Sequence, residues 1–172
     1  MPVSLFDGTV ARFEQTLSAT LGVLEKGRTH CKENGVNLDD IVETSLHPDM
    51  RPFRFQVIST VHHSAGALAG VKKGEFSPPE TADQNYEVLQ GMVEGALKEI
   101  QGIDRDELEA RGGADLTFRM GKNSIPFTVE DFLLSFSIPN FYFHATTTYD
   151  ILRSQGVPVG KMDFLGNLQV KR

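Results

Sequence analysis

Residues 132–149 carry no formal charge, and Pro139 interrupts that run. No other stretch narrows the possible folds as much. An uncharged segment approaching about 20 residues is long enough to be weighed as a membrane span. This one, however, includes Ser135, Ser137, Asn140, His144 and three consecutive threonines, and its apolar residues favour one side. A buried helix in a bundle accounts for that pattern better. Thr128 and Asp131 form a capping box flanked by Phe127 and Phe132 as a hydrophobic staple, so the helix is predicted to begin there. At about 100° per residue, Val129, Phe132, Leu133, Phe136, Phe143, Thr147 and Ile151 share one face. Asn140 lies in that face, and His144 sits one turn further along its edge. Pro139 withdraws a backbone N–H one residue before Asn140, which predicts a kink where this polar pair begins. Polar groups on a buried stripe need partners, whether neighbours, water or a metal.

The remaining chain reads as helices of more ordinary kind. Ser4 and Asp7 start one whose stripe of Phe6, Val10, Phe13, Leu17, Leu21 and Leu24 predicts a helix to about Gly35. Asn37 and Asp40 cap a short helix over residues 38–46, and Asp49, between Pro48 and Pro52, is the predicted cap of the next. That helix, over residues 51–70, has Phe53, Val57, Val61, Ser64 and Leu68 on one side. Phe55, Ile58, Ala65 and Ala69 populate the other. Apolarity nearly all round marks a central helix or one covered by a second chain, and a subunit interface is expected here.

Residues 72–79 read as loop. A third long helix starts near Asp83, with Tyr86, Leu89, Val93, Ala96, Leu97 and Ile100 inside, and Asp104 and Glu107 mark a short helical turn. Leu116, Phe118 and Met120 then alternate, residues 121–123 turn, and Ile125 and Phe127 follow, which predicts a small hairpin. The tail from Val157 reads as irregular, pinned by Phe164 and Leu165. The expected architecture is all-α: one domain over residues 1–172, a four-helix bundle with a crossover connection and a small β-hairpin before the last helix.

A net charge of −6 argues against a nucleic-acid or anionic-membrane surface. Cys31 is the sole cysteine, so no internal disulfide can form, and with no signal-peptide pattern at the N-terminus a reducing cytoplasm is expected. His30 beside Cys31 does not make a nucleophile pair, because adjacent helical residues point apart. His62 and His63 cannot share one metal for the same reason. His62 is expected to face the side of Phe55, at an oligomer contact or solvent, and His63 to pair with His144. Two imidazoles can hold a divalent metal, though catalytic zinc normally takes three protein ligands. Asn140, Gln56 and Asp49 are the candidates for the third. No HExxH, CxxC, Walker A or GxGxxG motif occurs.

The segment from Asn140 to His144, followed by Leu152, Arg153, Gly156, Val157 and Pro158, resembles the final helix of the DinB/YfiT-like superfamily. PDMRPFRFQV and IPNFYFHATTTYDILRSQGVPVGKMDFLG are similar to an uncharacterised branch of it, domain of unknown function 1993. The resemblance implies an up-down-down-up bundle, often a homodimer, and in metal-binding members three histidines around a divalent ion. Some members carry out thiol-dependent transferase-type chemistry. By position, the last-helix pair falls on Asn140 and His144, while His63, His62 and Gln56 all lie in the helix that supplies the other ligand. Two expectations follow. One is a metalloenzyme holding zinc or nickel through His144, His63 and Asn140 and using a small-molecule thiol or other substrate. The other is a metal-free, non-catalytic homodimer that binds a small molecule or acts structurally.

Overall fold

The computed structural model describes residues 3–171. The protein is mostly helical with a small three-stranded sheet. At the N-terminus, α1 (Leu5–Gly8) is capped by Ser4, whose hydroxyl accepts from the Asp7 N–H at 3.1 Å. The single helix predicted from Ser4 is interrupted at Thr9, whose hydroxyl donates to the Leu5 carbonyl at 2.7 Å before α2 (Val10–Asn34) begins. A hydroxyl bonding back to its own helix competes with the backbone ladder in this way. α2 ends at Gly35 in the left-handed conformation, and Asn37 caps α3 (Leu38–Glu43).

The next helix departs from its prediction at both ends and in the middle. It comprises α4 (Phe53–Val61), a π-helical segment (His62–Gly66) and α5 (Ala67–Lys73). Asp49 does not cap it; its carboxylate pairs with the His47 imidazole. No side-chain cap is needed, because the Phe53 N–H donates to the Thr44 carbonyl at 2.8 Å. This helix faces α9 on one side and α6 on the other (both bounded below). Of the residues on its second side, Ile58 and Ala65 are buried within the chain, Phe55 is half-buried and Ala69 is exposed.

Inside the predicted loop lies β1 (Glu75–Phe76), parallel to β2 (Asp115–Met120), which pairs antiparallel with β3 (Asn123–Thr128). A two-residue strand is too short to leave an alternation in sequence. Its approach to α5 depends on Gly70, where a Cβ would stand 3.1 Å from the Glu75 carbonyl oxygen. Leu116 and Phe118 point into the core as expected, but Met120 and Ile125, further towards the turn, are exposed.

α6 (Tyr86–Gln101) is capped by Asn85, and α7 (Arg105–Glu109) by Asp104. The last long helix comprises α8 (Val129–Asp131), a second π-helical segment (Phe132–Ser137) and α9 (Ile138–Ser154). Thr128 accepts from the Asp131 N–H as predicted, and the Phe127 and Phe132 rings lie 6.0 Å apart. Pro139 is not set into a regular α-helix. The backbone instead widens in the turn before it, which relieves the clash of the proline ring with the carbonyl four residues earlier. One extra residue in a turn rotates every later position by about 100° relative to a regular count. Phe143, predicted on the inner face, is accordingly 55% exposed. Phe141 is fully buried in its place and meets the Phe13 ring edge-on at 4.8 Å.

The tail is not irregular throughout: α10 (Lys161–Leu165) packs on α2, where Gln15 donates to the Leu165 carbonyl at 2.9 Å. Phe164 meets Tyr149, and Val157 and Val159 are buried. In the core, α2 packs against α6 and α9, and α4 against α9 and α6. The α2–α6 approach turns on Gly27, where a Cβ would stand 2.5 Å from the Tyr86 hydroxyl, itself bonded to the Leu24 carbonyl at 2.8 Å. Among the described residues no helix is long and apolar enough to cross a membrane.

Candidate two-histidine site

The two π-helical segments face the same point. His63 belongs to the first, and Ser137, the last residue of the second, donates its hydroxyl to the His63 carbonyl at 3.0 Å. Such widenings leave backbone groups for partners outside the helix and recur at functional sites. Here they set His63 against His144 of α9, with ring centroids 6.0 Å apart and planes 14° from parallel. The predicted pairing of these two residues is therefore present. They are 7% and 9% exposed, inside a collar of Phe76 and Phe136 about His63 and Phe55 and Phe143 about His144.

Burial shifts both imidazoles towards neutrality. Desolvation, aided by His62 and His144, lowers His63 from 6.5 to about 3, and desolvation lowers His144 to about 4. A group so far below neutral pH is a poor proton acceptor, since general bases work best near the ambient pH. It is a good electron-pair donor to a metal, because few protons compete for the nitrogen. Each ring has its Nδ1 near a protein oxygen: His144 Nδ1 is 2.8 Å from Gln56 Oε1, and His63 Nδ1 is 3.4 Å from Ser137 Oγ. Neither Nε2 has a hydrogen-bond partner among the described residues.

The other candidates each have a further partner. Asn140 is half-buried, and its amide donates to the Phe136 carbonyl of its own helix at 2.7 Å. His62 is half-buried on the side of Ile58 and Ala65. It stacks on Phe76 at 4.3 Å, its Nε2 is 2.7 Å from the Ser77 carbonyl oxygen, and it lines a groove between α4 and α6. Asp49 is at the surface with His47. Cys31 is buried and its thiol is pushed up by desolvation, the opposite of an activated nucleophile. No group of three His, Cys, Asp or Glu side chains gathers as a metal site among the described residues. Gln56, weighed in sequence only as a ligand, proves to be the partner of His144. Ser137 and Phe76 carry no functional signal in the sequence; only their tertiary placement distinguishes them from ordinary core and loop residues.

The architecture around this pair is that of a DinB-like helical protein. A crystal structure of a DinB family member protein from Shewanella denitrificans superposes with a TM-score of 0.79 over 98% of this chain and 95% of that one, and at 24% identity what is shared is the fold. More narrowly, the chain belongs to the family described as Domain of unknown function (DUF1993), which matches residues 5–165. No curated protein matches it.

Proposed function

We propose that the protein binds a divalent metal, zinc or nickel, through Nε2 of His63 and His144, within an up-down-down-up four-helix bundle. The observation that carries this reading is the pair itself: two buried, neutral imidazoles, each with Nδ1 next to a protein oxygen and with no partner for Nε2 among the described residues. A hydrogen bond on the non-ligating nitrogen is the usual support of a metal-binding histidine. The donor chemistry fits such an ion at two positions. Asn140 is the third protein group of the proposed set, as ligand or orienter, since its Oδ1 is not engaged by the bond to Phe136. A metal there would supply Lewis-acid activation of a water or low-molecular-weight thiol for transferase-type chemistry. The chain's own contribution is to hold both imidazoles deprotonated and to shield them from bulk water with the Phe55, Phe76 and Phe136 rings.

Elemental analysis of untagged protein purified without chelator tests this, alongside His144→Ala. Stoichiometric zinc or nickel that disappears in the variant is expected. Metal-free protein that also ignores added metal would overturn the reading. A second reading, a metal-free homodimer that binds a small molecule or acts structurally, is favoured by the absence of a third His, Cys, Asp or Glu beside the pair among the described residues.

A further inference from the structure

Gln56 is 2% exposed and lies between a backbone carbonyl, whose hydrogen-bonding role is fixed, and an imidazole nitrogen, whose role is not. On one side, its Nε2 is 2.8 Å from the Arg51 carbonyl oxygen. A carbonyl can only accept, so the end of the amide turned to it must be the NH₂ group. The other end, Oε1, then faces His144 Nδ1 at 2.8 Å. Two acceptors cannot share that distance without repulsion, so His144 Nδ1 must carry the hydrogen. The proton's position is thus dictated from a backbone carbonyl, through one side chain, to the ring.

We propose that Gln56 is a positioning residue that holds His144 as the Nδ1–H tautomer and keeps the Nε2 lone pair turned to the site. Without an acceptor at Nδ1 a neutral histidine in water favours the opposite tautomer, with hydrogen on Nε2, and the partner of one nitrogen decides the state of the other. The lock sets the class of ligand that His144 can receive: an electron-pair acceptor, either a divalent cation or the X–H group of a thiol or hydroxyl. A carboxylate or phosphate oxygen would meet a lone pair there. The inference rests on the His63–His144 site of the proposed function, but the tautomer is a property of the metal-free chain. The two can therefore fail separately.

The test is a long-range ¹H–¹⁵N correlation spectrum of histidine-labelled, chelator-treated protein at pH 8, with His144 assigned through His144→Gln. Wild type is expected to show His144 protonated at Nδ1. Gln56→Met, which keeps the volume and removes the acceptor, shifts His144 towards Nε2–H. A merely structural Gln56 would alter stability and leave the tautomer in place. Nε2–H in the wild type, or an unchanged Nδ1–H in Gln56→Met, overturns the proposal. Should Gln56→Met not fold, Gln56→Leu serves in its place, and Nε2–H in the wild type refutes the lock by itself. Metal uptake measured on the same samples reports on the metal reading alone.

Discussion

Two neutral histidines in the core make the protein sensitive to mild acid, and the size of the effect follows from their placement. In the unfolded chain both titrate near 6.5, whereas in the fold His63 is held to about 3 and His144 to about 4. Between these limits the unfolded state binds two more protons than the folded state. Stability is fully present above 6.5 and falls as pH drops through the window, by about 3 kcal/mol per pH unit for the pair. From pH 7 to pH 5 the loss is about 4 kcal/mol, a large part of the roughly 5–15 kcal/mol of a typical domain. Lowered carboxylates act below pH 5: Glu25, held low chiefly by Arg28, and Glu109, by the Phe6 N–H, withdraw their contribution as pH falls through and below 4.5. Asp7, held low chiefly by Arg105, and Asp163, by Lys26, withdraw their contribution only as pH falls below 3.8. His62, lowered by desolvation, adds a loss of the same sign. Urea unfolding at half-unit intervals between pH 7 and pH 5 measures the slope for wild type and for His63→Gln/His144→Gln. The double variant should keep only the shallow dependence left by His62. Parallel slopes in the two proteins would refute the claim that these imidazoles are buried and neutral.

The register shift in the last helix predicts opposite outcomes for two phenylalanines two residues apart. Phe141→Ala should lower stability by about 3–5 kcal/mol and Phe143→Ser by less than about 1 kcal/mol in the same denaturant assay; similar losses would contradict the π-helical widening. Gly27→Ala should cost about 1–3 kcal/mol, seen as a lowered Tm, because the new methyl group overlaps the Tyr86 hydroxyl. Adding Tyr86→Phe should restore part of that loss, and no recovery would mean that the hydroxyl is not the obstacle.

Much of this molecule is set by local sequence. Caps are local chemistry, so Ser4, Asn37 and Thr128 mark helix starts that can be read directly, and the hairpin follows from alternation around a turn. The polar pair on an apolar helix was legible for the same reason: an imidazole on a buried stripe stands out whatever surrounds it. Tertiary structure decided the rest. Pro139 announces that the helix must adjust but not how; its neighbours chose a widened turn, and that choice sent Phe143 outward and Phe141 inward. The identity of His144's partner depended on two helices packing face to face, which brought Gln56 within reach from 88 positions away. Phe76 became a wall of the site because Gly70 lets a two-residue strand lie close over α5. Periodicity and capping act between residues a few positions apart and leave a repeating trace in the chain; contacts between distant elements leave none until the backbone has brought them together.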